Sequence, residues 1–224
     1  SGKRGNVPLG IECIEIDLST TDFTTKLPKG NYDAICHLAA QSAGALSAEK
    51  PLYDLQANAM STLLLSRWCL NQGISRFLYA SSMVTYGNVD NSPVSEDVLC
   101  MPRSYYGVSK LTSEHLLRLA GVDGLNVTSL RMFSVYGPGQ DLGNVQQGMV
   151  SIFLSYMLRG VEVPVTGSLE RFRDFVYVED VVDAWVSALN MSHTPRQSYN
   201  LGSGYGTSVR DLLSSLIIAL NFSR

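Results

Sequence analysis

Little in this sequence suits metal, membrane or nucleic-acid work. Its four cysteines (Cys13, Cys36, Cys69, Cys100) stand far apart, with no CxxC pair and no histidine at ligand spacing, so no metal site is expected. Cys13, Cys36 and Cys69 sit in apolar patterns and read as small buried residues, which fits a reducing, cytoplasmic setting. No apolar run approaches the ~18 residues of a membrane span, and no signal-peptide pattern appears. Charged residues make up only 17%, and the formal net charge of −3 leaves no basic face for nucleic acid. Also missing is any G-x-G-x-x-G loop. Three N-x-S/T triplets begin at Asn126, Asn190 and Asn221, and such short matches arise often by chance.

What is present is enough for a folded core. The chain has 224 residues, 45% of them apolar, which suits one large or two small domains. Residues 76–110 organise it. Arg76 to Ser82 (R-F-L-Y-A-S-S) reads as a buried strand ending in two hydroxyls, Ser81 and Ser82, followed by a T-Y-G turn and a polar loop. S-Y-Y-G-V-S-K then opens a helix with Tyr106 and Lys110 four residues apart, on one face. With 11 tyrosines in the chain, a lone Y-x-x-x-K carries little weight; its setting behind a serine-ended strand raises it. A free phenol has a pKa of about 10, so acting as a base near neutrality requires a lowering of roughly 3 units, or about 4 kcal/mol of electrostatic help. An adjacent ammonium is the right kind of source.

Elsewhere, Ile11 to Ile16 alternates and predicts a strand ending at Asp17-Leu18, with a helix-capping role as the plain alternative for Asp17. Asp33 to Leu38 is an apolar run suited to a central parallel strand. Residues 46–72 read as helical, with Pro51 near one start and Leu63, Leu64, Leu65 and Trp68 as an apolar face. Asn126 to Pro138 reads as another buried strand, Val161 to Thr166 as a further one, and helices are expected over 146–153, 181–189 and 208–220. Gly202, Gly204 and Gly206 are spaced G-x-G-x-G and read as a turn. His37 is assigned no chemistry.

Ser82, Tyr106 and Lys110, in Y-A-S-S-M-V-T-Y-G and Y-Y-G-V-S-K, resemble the Ser-Tyr-Lys triad of the extended short-chain dehydrogenase/reductases. The most similar group is the NAD-dependent nucleotide-sugar epimerases and dehydratases, and the likeness runs through nearly the whole chain. It implies an α/β fold with a Rossmann-like doubly wound parallel sheet over residues 1–138, and a smaller, mainly substrate-binding part over 139–224. By the same resemblance, NAD is contacted by Asp17 and Leu18 (adenine), Leu38, Ala39, Ala40, Asn58, Ala80, Ser81, Tyr106, Lys110, Phe133 and Val135. Ser82, Ser134, Arg173 and Phe175 are implied for the substrate. Arg173, in R-D-F, would clasp a diphosphate with its forked guanidinium; pairing with Asp174 or Glu179 is the alternative. Ser134 replaces an Asn usual in the family, and Ser61 a Gly.

The implied activity is a nucleotide-sugar epimerase, most simply a UDP-hexose 4-epimerase working as a homodimer. A 4,6-dehydratase carries an Asp-Glu pair after the triad hydroxyl, where this chain has Met83 and Val84. Neither moves a proton, so that route is disfavoured. A ketoreductase using NADPH and a cofactor-incompetent fragment stay open. The family's first strand-turn-helix carries the glycine fingerprint, so by analogy the chain is expected to begin roughly 40 residues late, and to end early.

Overall fold

The computed structural model describes residues 4–89, 93–145, 148–191, 194 and 196–222. Four strands form a parallel sheet: β1 (Ala34–His37), β2 (Arg76–Ser82), β3 (Asn126–Met132) and β6 (Ser198–Leu201), in the order β1-β2-β3-β6. The strand-period alternation splits β2 between two cores. Phe77 and Tyr79 face one side, with Leu65, Cys69, Leu117 and Val127. Leu78 and Ala80 face the other, with Leu130, Val181, Trp185 and Ala188. Phe77, Leu78 and Leu117 are fully buried, each contributing about 2 kcal/mol of apolar burial.

Helices cover both faces. Pro51 opens α2 (Pro51–Leu55), which follows α1 (Gly44–Glu49). A π-turn, Gln56–Met60, then leads into α3 (Ser61–Gln72), which ends on Gly73 in the left-handed region at φ 72°. Ser104 caps α4 (Tyr105–Val122) by accepting the Gly107 N–H at 3.0 Å. Both α3 and α4 pack on the Phe77–Tyr79 side, and α6 (Val178–Asn190) on the other.

A second, three-stranded sheet is built from β4 (Ser134–Tyr136), β5 (Phe172–Tyr177) and β7 (Gly206–Ser208), in the order β4-β5-β7. Strand β5 runs parallel to β4 and antiparallel to β7. Its core is shared with α5 (Met149–Leu158) and α7 (Val209–Phe222) through Phe153, Val209, Leu212 and Phe175. The parallel sheet therefore takes its fourth strand, β6, from beyond residue 138.

Several sequence expectations change. Ile11 to Ile16 forms no strand. No described strand lies beside it to share a hydrogen-bond ladder, so Ile11 and Ile14 stay exposed while Ile16 and Leu18 pack on the core. Val161 to Thr166 likewise makes no ladder, although Val163 and Val165 do turn inward. The stretch 126–138 breaks at Phe133: β3 belongs to the parallel sheet and β4 to the smaller one. Leu63 points outward. Only Cys69 is a buried cysteine; Cys13 and Cys36 are exposed, because Cys13 lies in the unpaired segment and β1 is an edge strand. Gly202 and Gly204 do lie in the connection between β6 and β7, whereas Gly206 opens β7 itself, paired with Asp174; Gln146 and Gln147 of the expected 146–153 helix lie outside the described residues.

Candidate active site

Strand β2 delivers Ser82 to its C-terminal end, and the chain turns through the 3-10 segment Met83–Tyr86. Gly87 and Gly107 allow the close return. Gly87 has φ 74°, and a Cβ there would stand 1.9 Å from the Met101 carbonyl oxygen. A Cβ on Gly107 would stand 2.8 Å from the Val84 carbonyl oxygen. Helix α4 can thus start against the end of β2 and bring Tyr106 and Lys110 to Ser82.

All three border one cleft of about 690 Å³, within the range of small-molecule sites. Leu38, Ala40, Ala80, Ser81, Phe133 and Val135 line it too. So do Ser134, Arg173 and Phe175 from the smaller sheet. Ser134 and Phe175 are register partners across β4 and β5. The cleft lies where the two sheets diverge at Phe133, whose N–H donates to the Leu201 carbonyl at 3.0 Å.

Lys110 is 2% exposed. Its Nζ donates to the Ala80 carbonyl at 2.8 Å and stands 4.9 Å from the Tyr79 ring centroid and 5.8 Å from that of Tyr106. Burial pulls its pKa down to about 8, against the opposing charges of Asp54 and Glu114. The chain's own residues do not by themselves lower the Tyr106 phenol. Burial pushes its phenol up to about 12; a hydrogen bond with Ser82 works against that rise, and the Asp54 charge adds to it. Desolvation of the ring outweighs any help from the lysine in this arrangement.

Four expected cofactor residues do not border the cleft: Asp17, Leu18, Ala39 and Asn58. Asp17 Oδ1 accepts Ser19 N–H at 2.9 Å and the Ser19 hydroxyl at 2.7 Å, a local turn like the alternative cap reading. Leu18 packs on the core. Ala39 is exposed beside the cleft-lining Leu38 and Ala40. Asn58, buried, instead holds the loop after β1: its Oδ1 accepts Gln41 N–H at 2.9 Å and its Nδ2 donates to Gln41 O at 3.0 Å. Arg173 is half-buried and donates to Phe172 O at 2.8 Å. Its alternative partner Asp174 is occupied elsewhere, accepting from Ser203 and Gly204. His37, buried against Thr62 with its pKa pulled down to about 3 by burial, is a neutral structural residue.

Two buried networks were not legible in the sequence. Glu114 receives Arg131 through two hydrogen bonds, at 2.9 and 2.6 Å, and also the Ser81 hydroxyl. Arg131 donates to the Tyr86 phenol at 2.8 Å, which donates to Asn200 at 2.7 Å. The turn after β2 is thereby tied to β6. The second network joins Gln41, Asp54, Asn58 and Ser109. Glu114 lies four residues after Lys110, a spacing that could have flagged it; Asp54 is 55 residues from Ser109 and gave no signal.

Comparison with known proteins decides the family. The sequence profile described as "NAD dependent epimerase/dehydratase family" matches residues 2–202. The chain belongs to this family. Within it, the extended short-chain dehydrogenase/reductases that resemble UDP-glucose 4-epimerase are its relatives. The UDP-glucose 4-epimerase of Mycolicibacterium smegmatis is 31% identical, over 92% of this chain and 66% of its own length. The Thermotoga maritima UDP-glucose 4-epimerase, solved with UDP-glucose, superposes with a TM-score of 0.91 at 32% identity, covering 100% of this chain and 73% of that one. The Thermus thermophilus enzyme, solved with NAD, gives 0.86 at 31% identity, over 99% and 73%. A reductase is similar too: the GDP-6-deoxy-D-mannose reductase of Pseudomonas aeruginosa is 32% identical over 94% of this chain and 69% of its own. No described helix is long and apolar enough to cross a membrane, and no described cluster of His, Cys, Asp and Glu could hold a metal.

Proposed function

We propose that this chain carries the catalytic part of an NAD-dependent nucleotide-sugar epimerase, most simply a UDP-hexose 4-epimerase. The observation that carries the reading is the meeting of Ser82, Tyr106 and Lys110 at one cleft with Ser134, Arg173 and Phe175 on its other wall.

The residues fit the nicotinamide end of NAD. An ammonium has three donors, and Lys110 makes one hydrogen bond, to Ala80, leaving N–H groups for a ribose diol. Ala40 and Ala80 leave room for close approach, and Phe133 and Val135 offer an apolar wall to a planar ring. Asn58 acts at one remove by fixing the Gln41 backbone, and Asp17 with Leu18 is proposed for the adenine end. When bound, NAD supplies the hydride acceptor and returns the hydride, so the sugar carbon is oxidised and reduced again without net redox change.

In this scheme Ser82 holds the sugar hydroxyl and Tyr106 takes its proton as hydride leaves the same carbon, then gives it back. Lys110, charged, must offset the desolvation that raises the phenol. Arg173 binds the diphosphate and Phe175 lies beside it. Met83 and Val84 supply no acid or base for water elimination, which argues against a dehydratase. The reductase relative keeps a ketoreductase as the second reading, with net hydride consumption. A cytoplasmic setting and a homodimer formed through the exposed apolar residues of α3 and α4, such as Leu63 and Leu119, complete the proposal.

Incubating the full-length protein with UDP-glucose and with UDP-N-acetylglucosamine, and reading product stereochemistry and released NADH, tests it. Inversion at one carbon without stoichiometric NADH supports the epimerase. Stoichiometric cofactor turnover replaces it with the reductase, and titration calorimetry showing neither NAD nor UDP-sugar binding removes both.

A further inference from the structure

Five buried side chains among the described residues carry formal charge at neutral pH: Asp54, Glu114, Arg76, Lys110 and Arg131. Glu114 and Arg131 neutralise each other through their paired hydrogen bonds. Arg76 lies at the opposite end of β2 from Ser82 and is held by the carbonyls of Asn126 and Ala188. Asp54 and Lys110 remain; like Arg76 each is hydrogen-bonded only to neutral groups, but these two stand in one packed region, where α2 meets α4. The Asp54 carboxylate, 0% exposed, accepts from Gln41 Nε2 at 2.9 Å and from Ser109 Oγ at 2.5 Å. Lys110 donates to the Ala80 carbonyl. A buried charge without compensation is strongly destabilising, so two such charges in one packed region must balance each other.

We propose that Asp54 is a positioning residue of the triad, the buried counter-charge of Lys110, acting on it through space across the packed α2 and α4 helices. Helix α2 packs on α4, and Ser109 stands immediately before Lys110 and three residues after Tyr106. Its Oγ touches both the Asp54 carboxylate and the Tyr106 carbonyl. Asn58 Nδ2 donates to the same Oγ at 3.0 Å, which fixes the contact. The proposal rests on the triad reading above, because Asp54 acts only through Lys110 and Tyr106.

The other groups facing the lysine leave this role to Asp54. From α4 come Tyr106 and Glu114, the latter already paired with Arg131 of β3. From β2 comes the Tyr79 ring. His37 of β1 stays uncharged near neutrality. Asp54 raises the pKa of both Lys110 and Tyr106. It therefore keeps the ammonium charged while holding the phenol protonated until ligands arrive. Removing its charge moves both groups the same way, towards lower pH.

The test follows Lys110 by NMR of the full-length protein with isotopically labelled lysine, a readout that needs no turnover, with the activity–pH profile recorded in parallel. In Asp54→Asn the Lys110 midpoint drops by about one pH unit or more, and both limbs of the profile shift to acid. Ser109→Ala, which keeps the carboxylate, lowers the melting temperature and leaves the midpoint in place. An unchanged midpoint in Asp54→Asn, or an equal drop in Ser109→Ala, overturns the proposal. If Asp54→Asn does not fold, the wild-type titration decides. A midpoint near 8 upholds the counter-charge, and one below about 6, as found for buried lysines without compensation, refutes it. An absence of epimerase activity with the predicted midpoint shift would sink the substrate reading and leave the Asp54–Lys110 coupling standing.

Discussion

Asn58 and Gln41 exchange two hydrogen bonds, side-chain amide to backbone, at 2.9 and 3.0 Å. The π-turn that carries Asn58 thus clamps the loop leaving β1, whose Leu38 and Ala40 border the cleft. Asn58→Ala leaves the Gln41 N–H and C=O without these partners at a buried site. A loss of about 2–4 kcal/mol is expected, read as a lower urea midpoint at unchanged slope, together with weaker NAD binding by calorimetry.

Tyr106→Phe removes the proton acceptor and little else, since the ring stays to fill its place. Turnover is expected to fall by about 10²–10⁴-fold, while UDP-sugar affinity measured by calorimetry stays within about twofold of wild type. Retention of full activity would end the assignment of Tyr106 as the base.

Arg173 separates substrate from cofactor. Its hydrogen bond is to its neighbour's carbonyl, so its loss does little to the fold. Arg173→Ala is expected to weaken nucleotide-sugar binding by about 1.5–3 kcal/mol, roughly 10- to 150-fold in Kd. NAD affinity should not follow, and equal losses for both ligands would argue against a diphosphate contact.

His37 gives a stability signature. Its folded pKa of about 3 lies below the ordinary value of 6.5, because burial disfavours the imidazolium. The unfolded chain therefore takes up the proton first as pH falls. The stabilisation from the neutral ring is complete above pH 6.5 and is lost progressively as pH drops from there towards 3, to the extent of several kcal/mol. Melting temperatures of wild type and His37→Gln, measured from pH 7 to pH 4, should converge on acidification. Parallel curves would mean that His37 does not supply this slope.

Local pattern carried much of this architecture. The apolar run at 76–82 and the helix carrying Tyr106 were legible because their signals are short-range: a continuous apolar stretch ending in two hydroxyls, and a tyrosine and a lysine one turn apart. The unpaired stretches were not. Ile11 to Ile16 and Val161 to Thr166 have strand-like alternation, but a strand is made by a neighbour, and pairing is a property of the sheet. The fate of Ser81 shows the same limit at the site. Its position at the strand end was evident, yet its hydroxyl turns to Glu114, 33 residues away.

The residues themselves determined which chemistry is available: a phenol and an amine on one helical face, a hydroxyl at a strand end, a guanidinium in R-D-F, and no proton carrier at Met83 or Val84. Those follow from residue type and from the fixed geometry of helix and strand. Only the tertiary structure decided where the charges stand and what they feel. It buried Asp54 against Ser109, locked Arg131 onto Glu114, and desolvated Tyr106 so that its phenol is harder, not easier, to ionise in the chain by itself. Electrostatic energy depends on distance and on the surrounding dielectric, and neither exists until distant segments have packed together.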